Sequence, residues 1–262
     1  MNRRVVITGN RGLIGKSFTD YLLSNGKKVI GLDLNSPINS NLDPKSQLIE
    51  FKVDLSNEEQ ISEVSKKIQD LSIEVDGLIH FASINPKYDE LGYGYEIREQ
   101  QNHEILQALK VGTLGAFSLI KELDEVLSKN CSIVLIGSDL SIVSPNQNIY
   151  CNCDSKHVKH SISCKVKPLF YSIDKASVVA LTRYLAAFYA SANREIRVNC
   201  VCLGSVENNT NEIFKRRLAN IIPLKRQALL GEFNETFEFM LYKSSYYQTG
   251  SVIVVDGGRT II

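Results

Sequence analysis

Tyr171 stands four residues before Lys175 in "YSIDK". On a helix that spacing puts both side chains on one face. A phenol of pKa near 10 exchanges protons usefully only if brought toward neutrality. An ammonium about 5 Å away, at an effective dielectric near 20, contributes about 3 kcal/mol, or about two pKa units. The sequence has eleven tyrosines, and roughly one such pair is expected by chance, so position has to decide. Here the pair opens a helical pattern, "YSIDKASVVALTRYLAAFYASANR", that follows the apolar run "SIVLIGS" ending at Ser138.

A second constellation is suited to phosphate. "TGNRGLIG" places Gly9, Gly12 and Gly15 after a strand pattern and at the opening of a helix that begins with Leu13 and Ile14. Glycine lets the backbone turn tightly against a pyrophosphate, and the helix N-terminus presents N–H groups and a positive dipole end. Asp33 ends the next strand pattern, 18 residues after Gly15. A carboxylate there accepts from ribose hydroxyls and repels a 2′-phosphate, favouring NAD. Arg11 argues for NADP, since a guanidinium in the loop can pair with that phosphate. Asp54, ending "FKVDL", is placed either to accept from an adenine amino group or to cap the following helix.

The elements that must hold these groups follow from the alternation of apolar runs. "VVIT", "KKVIGLDL", "LIEFKVDL", "VDGLIHFAS", "SIVLIGS", "IRVNCVCLG" and "GSVIVVDGG" read as buried strands separated by amphipathic stretches. The helix after Asp54 is expected from Asn57 to about Asp70, and "HEILQALKVGTLGAFSLIKELDEVLSKN" is one long helix or two abutting ones. The pattern predicts an α/β chain: a doubly wound parallel sheet of about seven strands with helices on both faces. No linker-like break divides it, so residues 1–262 are expected to form one domain.

Composition excludes several classes. Thirty Lys and Arg against 29 Asp and Glu leave no overall field for nucleic acid or anionic membrane. No apolar run approaches the ~18–20 residues of a membrane span. No signal-peptide core precedes "RRVVITGN". Six cysteines in a chain of 262 residues fit a reducing cytoplasm better than a disulfide framework.

Taken together, the glycine loop, Asp33, Asp54, "IHFAS", Ser138, Tyr171 with Lys175, "IRVNC" and "TGSVIVVDGG" resemble the short-chain dehydrogenase/reductase family over nearly the whole chain. The resemblance implies a Rossmann fold and NAD(P)-dependent interconversion of an alcohol and a ketone. It casts Tyr171 as proton donor or acceptor, Lys175 as its activator and a ligand of the nicotinamide ribose, and Ser138 as the orienting hydroxyl. It implies cofactor contacts from Gly9, Arg11, Gly12, Leu13, Ile14 and Gly15 in the first loop. Asp33, Asp54 and Leu55 would follow on the adenosine side; Phe81, Ala82 and Ser83, then Gly204 and Val206, would complete the groove. The chain departs from the family at Gly112, where a relay asparagine is usual, and at His80-Phe81-Ala82-Ser83 and Leu203-Gly204. A reductase and a non-catalytic nucleotide-binding protein on the same fold both stay open.

Between Ser138 and Tyr171 lie 32 residues, more than compact members of the family place there. Residues 145–168 therefore read as an insertion at the mouth of the site, where loops shape recognition. It carries Cys151, Cys153, His157, His160 and Cys164. The Cys-x-Cys start lacks zinc-knuckle spacing, and no metal site is expected. "PNQNIY" (145–150), "INPK" (84–87) and "ENN…F…PLKR" (207–226) look like a subgroup serving flagellin glycosylation and nonulosonic-acid pathways. Residues 205–226 would be a flap closing over substrate. Its Lys215, Arg216, Arg217, Lys225 and Arg226 would either meet a phosphate or form a solvated helix face. The expected substrate is a phosphorylated or nucleotide-linked sugar, with a 3-oxoacyl-carrier-protein or small ketone as alternative. The helix after Tyr171 is apolar nearly all round, which implies a second subunit, as a homodimer or homotetramer.

Overall fold

Seven apolar runs become seven parallel strands: β1 (Arg3–Thr8), β2 (Val29–Asp33), β3 (Leu48–Lys52), β4 (Glu74–His80), β5 (Leu127–Ser138), β6 (Arg197–Leu203) and β7 (Val252–Val255). The computed structural model describes residues 3–37, 43–86, 97–150, 166–209, 211–242 and 245–262. Their order in the sheet is β3-β2-β1-β4-β5-β6-β7. The chain winds outward from β1 in one direction, then crosses to β4 and winds in the other. That reversal opens a crevice at the C-terminal ends of β1 and β4, the expected ligand position in such sheets.

Alternation along β1 shows how both faces are buried. Val6 joins Ile30, Leu32, Leu78 and Leu135 in one core, against α2 (Glu58–Asp70), α4 (Gly115–Leu123) and α5 (Leu169–Ser191). Val5 and Ile7 join Ile79, Val134 and Val201 in the other, against α1 (Leu13–Ser24) and α7 (Asn234–Leu241). Each such fully buried side chain contributes about 1.5–3 kcal/mol from its removal from water. A continuous apolar strand is thus the signature of a sheet covered on both sides.

The column preceding β5 is neither one regular helix nor two. α3 (Asn102–Leu109) passes through a π-turn, Lys110–Leu114, into α4. Such single-turn bulges recur at functional sites. α2 is capped by the Asn57 side chain, which accepts from the Gln60 N–H, while Asp54 folds onto Ser56. The capping role open to Asp54 is therefore taken by Asn57.

α6 (Glu212–Asn220) lies in the expected flap and carries Phe214 and Leu218 into a small separate cluster with Ile149, Tyr150 and Ile222. The Tyr150 and Phe214 ring centres are 5.2 Å apart. α6 thus packs against the described start of the expected insertion. The five cysteines and histidines considered as metal ligands lie outside the described residues. Among the described residues no helix is long and apolar enough to cross a membrane.

Candidate active site

The glycine loop is built for close approach. Gly9 has φ +67°, and a Cβ there would stand 3.0 Å from the Ala82 backbone nitrogen. At Gly15 a Cβ would stand 2.1 Å from the Gly9 carbonyl oxygen, so only glycine lets the loop lie down on α1. Gly12 is the N-cap of α1, with no side chain on the first-turn N–H groups and no acid in that turn. A free, positively polarised helix end at the switch point fits the pyrophosphate of a dinucleotide. Leu13 is half exposed at that opening, and Ile14 packs against the core.

Asp33 receives the Arg11 backbone N–H at 3.1 Å on one oxygen and the Asn35 N–H at 2.8 Å on the other. The Arg11 guanidinium turns away to a partner the sequence had not singled out. It donates twice to Glu50 on β3, at 2.9 and 2.8 Å, and Asn10 donates to the same carboxylate at 2.8 Å. Across the crevice, Thr8 and His80 are joined side chain to side chain at 2.9 Å, and the Ala82 N–H donates to the Thr8 hydroxyl. Burial lowers the His80 pKa to about 3, so the ring is neutral there. The Phe81 ring packs against Phe18 and Phe237. Leu55 is buried in the core, Gly204 lies against the Asp256 backbone, and Val206 bridges to Ala228.

Ser138, Tyr171 and Lys175 converge where β5 ends against the first turns of α5. Ser138 caps the turn Asp139–Ser141; its hydroxyl donates to Asp139 at 2.8 Å and accepts from the Leu140 N–H. Asp139 is itself paired with Arg259 at 3.3 Å, both buried. Lys175 is 4% exposed, and its Nζ donates to the Ile136 carbonyl at 2.9 Å. That Nζ lies 6.0 Å from the Tyr171 ring centre.

Burial dominates the electrostatics here. The Tyr171 phenol is pushed up to about 12, chiefly by desolvation, with the nearby Ser138 hydroxyl opposing the shift and Asp139 and Asp174 adding to it. Lys175 does not outweigh burial at the phenol. Its own ammonium is lowered by burial and raised chiefly by Asp174. The phenol is therefore held protonated, as a donor.

Asp174 also explains Gly112. Any Cβ at residue 112 would stand 2.2 Å from both Asp174 carboxylate oxygens. The carboxylate is 1% exposed and receives the Thr113 N–H at 3.1 Å and the Thr113 hydroxyl at 3.0 Å. Ser83 donates more weakly, at 3.4 Å. The space vacated at the π-turn is filled from α5.

A family profile described as Enoyl-(Acyl carrier protein) reductase matches residues 9–167 and 155–260. The chain belongs to the short-chain dehydrogenase/reductase family. Members of this family are NAD(P)-dependent oxidoreductases. An uncharacterized short-chain type dehydrogenase/reductase of Sinorhizobium fredii is 24% identical over 98% of this chain and 43% of its own length. The chain thus spans less than half of that relative. The Post-translational flagellin modification protein A of Campylobacter coli is 23% identical over 98% of both chains. The crystal structure of a short chain dehydrogenase from Leptospira borgpetersenii with bound NAD+ superposes with a TM-score of 0.81. It covers 98% of this chain and 92% of that one at 24% identity.

Within this short-chain dehydrogenase/reductase, four charged residues escaped sequence reasoning: Glu50, Asp139, Lys167 and Asp174. Two had a local signal. Glu50 is an acid inside an apolar strand run, "LIEFK", and Asp174 directly precedes Lys175. Nothing local marks Asp139 or Lys167.

Proposed function

We propose that this chain is an NAD-dependent oxidoreductase that interconverts a secondary alcohol and a ketone on an anionic sugar derivative. The observation that carries the chemistry is the convergence of Ser138, Tyr171 and Lys175 beside a glycine-lined helix end. When bound, the nicotinamide supplies or accepts the hydride. Gly9, Gly12 and Gly15 admit the pyrophosphate, and Asp33 receives the ribose hydroxyls. Ser138 and Tyr171 orient the substrate oxygen, and the Tyr171 hydroxyl passes its proton to that oxygen in reduction or takes it back in oxidation. Lys175 holds the nicotinamide ribose and adds positive charge beneath the phenol.

Several observations support the finer reading. Glu50 occupies Arg11, which favours NAD over NADP. The likeness to a flagellin modification protein favours a phosphorylated or nucleotide-linked sugar of surface-glycan biosynthesis. The exposed aromatic stripe on α5 favours a homodimer or homotetramer, and the buried free thiols Cys131, Cys200 and Cys202 favour a cytoplasmic setting. A 3-oxoacyl-carrier-protein reductase is the second reading, because of the family profile's description.

Tyr171→Phe tests the core of this proposal. The variant is expected to bind NADH with unchanged affinity, read by nucleotide fluorescence, and to lose turnover by about a hundredfold or more. Activity retained at the wild-type level would exclude Tyr171 as the proton carrier. A wild-type protein that binds NADH but turns over neither sugar nor acyl ketones would favour the non-catalytic reading.

A further inference from the structure

A cation that the family chemistry does not use stands directly over the reacting phenol. The Lys167 Nζ lies 4.0 Å from the centre of the Tyr171 ring and donates to the Asn85 side-chain Oδ1 at 2.5 Å. Its backbone is clasped from both sides by one amide. The Lys167 N–H donates to Gln147 Oε1 at 2.8 Å, and Gln147 Nε2 donates to the Lys167 carbonyl at 3.3 Å. The residue is only partly exposed, and α5 begins two positions later behind Pro168. A lysine held at two backbone points and at its ammonium is positioned, where a solvent-facing lysine would not be.

Its electrical surroundings are one-sided. Among the described residues no carboxylate reaches salt-bridge distance. Asp139 is the acid that raises its pKa, and Lys175 is a second cation that lowers it. Desolvation brings the ammonium down to about 8, still protonated at neutral pH. The flap, by contrast, is partly neutralised. Lys215 pairs with Glu212 at 2.8 Å, and Arg226 donates to both oxygens of Glu232, at 2.6 and 2.8 Å. A partly desolvated ammonium whose strongest partner is a neutral amide gains most from an incoming anion.

We propose that Lys167 is a substrate-binding residue that holds a carboxylate or phosphate carried a few bonds from the reacting carbon, with Asn85 aiming the ammonium. The inference rests on the oxidoreductase reading and deepens it. It moves anion recognition from the flap to the wall beside Tyr171, so the charged group lies next to the alcohol or ketone and away from the far end of a long substrate.

The test uses the full chain loaded with NAD+, so that the pyrophosphate site is filled. Inorganic phosphate and malonate are titrated separately, and amide chemical shifts are followed in wild type, Lys167→Gln and Lys167→Arg. Wild type is expected to respond around residues 85, 167 and 171 to at least one anion, and the probe that binds tells phosphate from carboxylate. Lys167→Gln is expected to weaken that response by about tenfold or more, with Lys167→Arg intermediate. Matched substrates then read specificity: glucose 6-phosphate or glucuronate against glucose, and a 2-oxo acid against its methyl ester. The anionic member is expected to be favoured by about tenfold in wild type and by little in Lys167→Gln, with NADH affinity constant. Absence of anion binding, or binding equal in Lys167→Gln, overturns the inference. So does an equal loss of turnover on charged and neutral substrates, which would make Lys167 a support of Tyr171 alone. Anion binding that depends on Lys167 without turnover of any pair would leave this site standing and remove the proposed reaction.

Discussion

At the level of single residues, the proposed preference for NAD turns on two charges. Asp33 and Arg11 argue for different dinucleotides as long as only their identities are known. On the proposed reading Glu50 tips the balance: it takes both ends of the guanidinium fork and is itself held below its usual pKa by Arg11 and Asn10 against burial. Arg11 is thereby removed from the place where a 2′-phosphate would sit. Glu50→Gln is expected to free the guanidinium and raise NADP(H) affinity by about tenfold, with NAD(H) affinity little changed. Adding Asp33→Asn would extend the gain by relieving repulsion. Fluorescence titration with both reduced nucleotides decides this, and an unaltered preference in Glu50→Gln would show that Arg11 plays no part in the choice.

One element contact carries the departure from the family pattern. The π-turn Lys110–Leu114 and the first turns of α5 approach so closely that the Gly112 backbone and the Asp174 carboxylate share one space. Gly112 and Asp174 are therefore a matched pair in contact, and such pairs are not additive. Gly112→Asn alone is expected to overpack the contact, costing about 1–3 kcal/mol. Asp174→Ser removes the carboxylate and makes room, so the double variant is expected to recover most of that loss. Denaturant unfolding of the four proteins measures the coupling. Strictly additive effects would contradict the shared-space account. Most of this site could be read in advance as residue types: glycines at the helix end, a phenol and an ammonium one turn apart. The partner of each charge could not, because Glu50, Asp139 and Asp174 reach their positions through strand and helix packing.

At the scale of the whole molecule, one surface of α5 lacks a cover among the described residues. Tyr184 and Phe188 are 64% and 54% exposed, with rings stacked at 6.3 Å between centres. Leu106 on α3 and Phe117 on α4 are also exposed. Large apolar groups on successive turns of one helix mark an association surface. If the proposed dimer or tetramer forms through this surface, Tyr184→Glu with Phe188→Glu is expected to shift it toward monomer, by at least about tenfold in dissociation constant. Sedimentation equilibrium provides the mass, and a wild-type protein that is monomeric at micromolar concentration would refute the assembly.

The sequence by itself determined the order of elements, the two-faced sheet and the chemistry-bearing residue types. Each of these is written in local periodicity, glycine spacing or side-chain identity, which act over one or two turns. Tertiary structure alone decided which charges are paired, and hence which are available to a ligand. Lys167 meets Tyr171 and Asn85, and Arg11 meets Glu50, only after strands and helices distant in sequence have packed. It also decided the state of the phenol. The pull of an ammonium one turn away is a local quantity, whereas the loss of water around Tyr171 is set by everything folded over it.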